Sequence, residues 1–208
     1  MSVLGILGTI HSDEMRKEYD FSLKKMGELI EQFEPDIICG EVRPEDWEKY
    51  CNNNEYEGYL GPSEYRELII PLCERKGIKF VPVDWYEDDM VDMDYFKGKS
   101  ELEINDLEKQ FESIMNVYIE VAKKSTIPFN SLAFNDVVKS KQDFQNSINP
   151  EVHNVYWTCR NQLMTYRIKK VLDANKGKRV LCTVGAEHNY FYCKELQAID
   201  WKMIYPLK

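Results

Sequence analysis

The amino-acid sequence predicts an α/β fold in which a mostly parallel central sheet is flanked by helices. Two observations carry that expectation. Short apolar runs alternate with helix-length amphipathic stretches near both ends of the chain, and one strand-end motif occurs twice, once in each half. Parallel neighbours need a crossover connection, usually a helix, so β-α-β alternation implies a parallel sheet with helices on its faces. The expected arrangement is two pseudo-symmetric β-α-β halves within a single domain over 1–208, separated by a helical insertion or cap at about 95–176.

The elements follow in order. Val3 to Leu7 is an apolar run ending at Gly8, which reads as a strand. From Glu14 to Glu34, Leu23, Met26, Ile30 and Phe33 recur at helical spacing before Pro35, so a helix is expected there. Ile37 to Cys39 form a second buried run. Ser63 to Lys76 is helical, interrupted by Pro71 and closed by Gly77, and Ile78 to Val83 give a third strand. Ser100 and Glu103 form a capping box ahead of a long helix with Ile104, Leu107, Phe111, Ile114, Met115 and Tyr118 on one face. A second helix of the insertion covers Ser131 to Phe144. A third starts at Pro150 behind Asn149 and stops at Gly177. Arg179 to Val184 is a strand, Tyr190 to Ala198 a helix, and Lys202 to Pro206 a short last strand.

Composition narrows the function. Thirty-six acidic against 27 basic residues give a net charge of −9, and the Lys and Arg are scattered, so there is no basic stripe for a nucleic-acid partner. The start of the chain lacks a basic region ahead of its short apolar run, and no stretch approaches the roughly 20 apolar residues of a membrane span, so a soluble, cytoplasmic protein without a membrane partner is expected. The six cysteines show no CxxC pair, which fits a reduced compartment.

The chemistry lies in the repeated motif. VLGILGTIH at Val3 to His11 and VLCTVGAEH at Val180 to His188 share the form V-L-x-x-x-G-x-x-H, and the chain has only three histidines. Each strand would deliver its chain to the carboxyl edge of the sheet, where glycine permits a tight turn and the histidine faces the crevice in which open α/β sheets bind ligands. If the two serve one centre, their imidazoles lie within about 10 Å of each other. Glu41 follows the second strand and Asp84 the third, so both carboxylates are expected at the same edge. The alternatives are a Glu41–Arg43 salt bridge and, for Asp84, a cap or turn role. Imidazoles with a carboxylate suit a divalent ion such as Mn, Co or Zn, giving His11, Glu41 and His188 as metal ligands; without metal, a histidine-carboxylate pair does general-base chemistry.

Arg160, Met164 and Arg167 project from one side of the helix that begins at Pro150, and an arginine there suits a substrate carboxylate or an oxyanion. His153 lies two turns before Arg160 and within reach of the same pocket. The acidic stretch Asp84 to Asp94 lacks the spacing and glycine of a calcium loop and reads as a solvated loop.

Together LGTIH at Leu7 to His11, PDIICGEVRP at Pro35 to Pro44, RNQLM at Arg160 to Met164 and GKRVLCTVGAEH at Gly177 to His188 resemble the TraB/Tiki superfamily. That superfamily includes the PrgY and GumN proteins and is related to the erythromycin-esterase and ChaN-like proteins. The resemblance runs along nearly the whole chain and implies pseudo-twofold α/β halves with a catalytic site of His11, Glu41, Arg160 and His188. It implies metal-dependent hydrolysis of a peptide or amide, as in Tiki proteins, or metal-free ester hydrolysis, as in the esterase relatives. The chain is shorter than many members and lacks the membrane anchors of some. A non-catalytic domain that binds a small molecule or heme through the same histidines is the reading from another class.

Overall fold

The computed structural model describes residues 1–53 and 55–207. Five strands, β1 (Ser2–Thr9), β2 (Ile37–Gly40), β3 (Lys79–Pro82), β4 (Arg179–Gly185) and β5 (Trp201–Ile204), form one sheet of order β3-β2-β4-β1-β5. All its pairings are parallel. The helices are α1 (Asp13–Glu18), α2 (Leu23–Phe33), α3 (Pro44–Asn52), α4 (Ile70–Lys76), α5 (Glu101–Lys124), α6 (Leu132–Ile148), α7 (Pro150–His153), α8 (Arg160–Ala174) and α9 (Asn189–Glu195).

Side-chain alternation explains the layers. On β1, Leu7 faces Met26, Ile30 and Phe33 of α2, whereas Leu4 and Ile6 face Met164, Ile168 and Leu172 of α8 and Tyr192 and Leu196 of α9. Both faces are therefore covered, which is why the strands read as continuous apolar runs rather than as alternating ones. The crossovers interlock. The chain from β1 to β2 passes over the position of β4, and that from β4 to β5 passes over β1, so the two motif-bearing strands are neighbours at the centre of the sheet.

Several expected boundaries shift. The helix expected from Glu14 to Glu34 breaks into α1 and α2, because Asp20 takes a left-handed conformation (φ 49°) and Ser22 caps a new helix through Lys25 N. α3 was not foreseen, although Pro44 at its first turn and the acidic Glu45 and Asp46 behind it are ordinary start signals. The stretch from Ser63 contains a π-helical turn, Tyr65–Ile69, before α4, and the helix behind Pro150 is divided by another, Asn154–Cys159. The capping box of Ser100 and Glu103 is present. Within the segment 95–176, α5 and α6 pack on one another, whereas α8 lies directly against the sheet as one of its covering helices. Among the described residues, no helix is long and apolar enough to cross a membrane.

Candidate active site

The carboxyl ends of β1, β2 and β4 converge, and the structure brings His11, Glu41, Arg160 and His188 together there. Glu41, one residue past β2, is buried and central. Its Oε1 accepts from Arg160 Nη2 at 2.6 Å and lies 3.7 Å from His188 Nε2; its Oε2 accepts from Gly185 N at 2.7 Å and lies 3.5 Å from His11 Nε2. The two motif histidines thus meet opposite oxygens of one carboxylate. Arg43 turns away from Glu41 and pairs with Asp46 and Asp88. Asp84 joins the group from β3: its Oδ1 and Oδ2 accept from Arg160 Nε at 2.8 Å and Nη2 at 2.9 Å, and Oδ1 also accepts from its neighbour Trp85 N. The guanidinium is a fork held by two buried carboxylates. Arg167 donates to the carbonyls of Val83 and Asp84, while Met164 packs into the core.

The motif glycines act by space, not by turn conformation. Neither Gly8 nor Gly185 has positive φ, and Gly185 sits at φ −48°. A Cβ on Gly185 would stand 2.5 Å from His11 Nε2, and one on Gly8 would stand 2.3 Å from Asn189 Nδ2. Glycine is what lets the imidazole and the carboxylate approach the strand end. Gly8 is further pinned by Asn130, whose Oδ1 accepts from Gly8 N at 2.7 Å and whose Nδ2 donates to Gly8 O at 3.0 Å.

Partners absent from the sequence reading set the state of each histidine. His11 Nδ1 donates to Glu64 Oε1 at 2.7 Å, because a carboxylate only accepts. Glu64 is itself fully buried, beside the buried Arg16. His188 Nδ1 donates to Asn161 Oδ1 at 2.6 Å, an assignment fixed by the Asn161 amide nitrogen, which donates to Trp157 O. The His188 ring stacks on Trp157 with centroids 4.4 Å apart. Burial alone would lower the pKa of His11, but Glu41 and Glu64 outweigh it and raise the value to about 10. The ring is 40% exposed, so water screens part of that pull. His188 is lowered to about 3, first by burial, with Arg160 and His11 adding to it against the opposing pull of Glu41. Burial would raise Glu41, yet Arg160, His11 and His188 hold it well below the usual carboxylate range. Two histidines of one motif are therefore held in opposite protonation states at neutral pH.

Both π-helical turns serve the site. Tyr65 begins the first; its hydroxyl donates to Thr183 O at 2.6 Å and accepts from Glu41 N at 2.7 Å, bridging β2 and β4 where Glu41 leaves the sheet. The second carries Trp157 and leads into Arg160 and Asn161. The extra residue in such a turn rotates the following helix face, and these turns are frequent at functional sites. Glu187, inside the second motif, accepts from Tyr118, Lys141 and Gln142, tying α5 and α6 to the turn that holds His188. His153 does not join the site; it bonds Tyr95 and borders a separate depression beside α6 and α9. The acidic stretch is divided: Asp84 is part of the site, and Asp88 pairs with Arg43.

The pocket above these groups has a volume of about 330 Å³. His11, Glu41 and His188 are suitable donor types for a divalent ion, but their arrangement does not close around one. Among the described residues, no three His, Cys, Asp or Glu side chains are placed to share an ion. Both Glu41 oxygens already serve Arg160 and Gly185, and a guanidinium 2.6 Å from the carboxylate repels a dication.

The fold and site define an all-parallel α/β domain with a histidine-carboxylate-arginine centre at the carboxyl edge of its sheet. No protein-family model, curated protein or solved structure shows significant similarity to the chain.

Proposed function

We propose that this pocket is the active site of a hydrolase that cleaves an ester or amide by transferring the acyl group to water. The observation that carries the reading is the pair of Gly-x-x-His histidines that meet opposite oxygens of one buried carboxylate, with the pKa of His11 pushed up by its carboxylates and that of His188 pushed down by burial. At neutral pH His188 offers a lone pair at Nε2 and His11 a proton, a proton acceptor and a donor within reach of one carbonyl. In this scheme His188 takes the proton of the attacking water, and His11 gives one to the leaving oxygen or nitrogen. Arg160 and His11 place positive charge where the oxyanion develops, Glu41 pairs with the charged His11, and Asn161 fixes the ring of His188. This is the metal-free form of the activity that the TraB/Tiki resemblance implies.

Metal-dependent peptide hydrolysis is the second reading. One observation favours it: each Nδ1 is held by an oxygen acceptor, the arrangement that orients metal-bound imidazoles. It requires Glu41 to part from Arg160.

The test is an assay of chelator-treated protein against p-nitrophenyl esters and aminoacyl p-nitroanilides, with and without Mn²⁺, Co²⁺ or Zn²⁺. The expected result is chelator-resistant turnover that falls by about 10²–10⁴-fold in His188→Ala. Turnover that appears only with added ion supports the metal-dependent reading, and no turnover under any condition leaves a small-molecule or heme-binding domain.

A further inference from the structure

The pocket wall says more about the substrate than its charged floor does. His11, Glu41 and His188 come from the sheet edge with Arg160 beside them, and although Thr9, Ser12 and Glu187 add polar groups next to the motif turns, most of the remaining lining surface is apolar: Ile10, Met15 on α1, Tyr118 on α5, Phe129 ahead of α6, Trp157 and Ala186. Met15 is 37% exposed, so an apolar side chain is kept in water at the rim. Phe129 is held at φ 62°, a conformation that bulky residues rarely take and that costs on the order of 1–3 kcal/mol. Its ring is clamped there by Tyr19, Tyr118 and Phe134, with centroids 4.5, 5.9 and 5.2 Å away. Asn130, the next residue, straps the same loop to Gly8 at the first motif. The fold therefore accepts local strain to keep an aromatic wall opposite the motif turns.

Resting on the hydrolase reading, we infer that the substrate of this site is a medium-length, unbranched acyl ester whose hydrocarbon chain lies between Met15, Tyr118 and Phe129. The volume sets its length. At about 30 Å³ per water-sized unit, a 330 Å³ pocket holds about eleven such units, just above the heavy atoms of octanoate, eight carbons and two oxygens.

Binding of the carboxylate products separates this inference from the hydrolase reading, because it needs no turnover. Butanoate, hexanoate, octanoate and dodecanoate are titrated into the full chain by calorimetry. Each added CH₂ is expected to tighten binding about fourfold, until the pocket is full near octanoate and dodecanoate gains nothing more. Met15→Trp fills the rim at a partly exposed position and is expected to move that plateau to a shorter chain. Affinity independent of length, affinity still rising at dodecanoate, or a plateau unmoved in a folded Met15→Trp each overturns the inference. Length-dependent binding without ester hydrolysis would leave the acyl pocket standing and remove the hydrolase reading, whereas hydrolysis without length dependence would do the reverse.

Discussion

Two fully buried tyrosines make opposite predictions from the same substitution. Tyr65→Phe removes a hydroxyl that satisfies Glu41 N and Thr183 O at once, in a position without access to water. A buried group left without its partner costs about 1–3 kcal/mol, so two of them cost about 2–5 kcal/mol, less whatever β2 and β4 recover by closing on each other. For a domain of this size each kcal/mol moves the Tm by about 2–4 °C, which predicts a fall of about 4–20 °C. Tyr192 is equally buried, but its hydroxyl has no partner among the described residues. Tyr192→Phe therefore removes an unsatisfied polar atom and is expected to leave the Tm unchanged or raise it. Thermal unfolding followed by circular dichroism on both variants decides the matter. Equal Tm changes would refute the claim that the Tyr65 phenol holds the two strands at the site.

The same reasoning extends to Thr9 and Thr183, whose buried hydroxyls are also unpartnered among the described residues: Thr9→Val and Thr183→Val should be neutral or stabilising by up to about 1 kcal/mol in urea titrations, and a loss above about 2 kcal/mol would reveal a partner. His188→Ala vacates the stack on Trp157 and orphans Asn161 Oδ1, so calorimetry should show a loss of about 2–4 kcal/mol together with the loss of turnover. Asp46 gives a pH dependence. Burial would raise its pKa, but Arg43 and Lys49 outweigh it and hold it low. Its contribution is present above the unfolded value near 3.9 and is lost as pH falls through the lower folded value. The urea midpoint of wild type should therefore decline as pH falls below about 4 more steeply than that of Asp46→Asn.

What could be read from the sequence was local. The capping box at Ser100, the Asn149–Pro150 start and the Gly77 stop need only neighbouring residues, and each appears where expected. The break at Asp20 escaped because the apolar spacing continues through it. At the site, the residues that a strand end presents by itself, His11, Glu41, Asp84 and His188, were visible from their offsets. Glu64, Tyr65 and Asn161 were not, since each lies in a helical stretch and acts only through a partner on another element. The glycine role was misjudged for the same reason: a φ angle is a local property, but the crowding of Gly185 by His11 depends on two strands meeting.

The interlocked strand order has a consequence for how the chain reaches this state. Among the described residues β1 pairs with β4 and β5 alone, so the first strand made is flanked by the last two, and β2 lacks its inner neighbour until β4 is in place. A nascent chain ending before about Arg179 has no ladder to offer its N-terminal strand, and the two histidine turns come into being in one event with the centre of the sheet. Such long-range closure is slow and leaves apolar strand edges open meanwhile, which puts the hazard of aggregation during synthesis rather than after it.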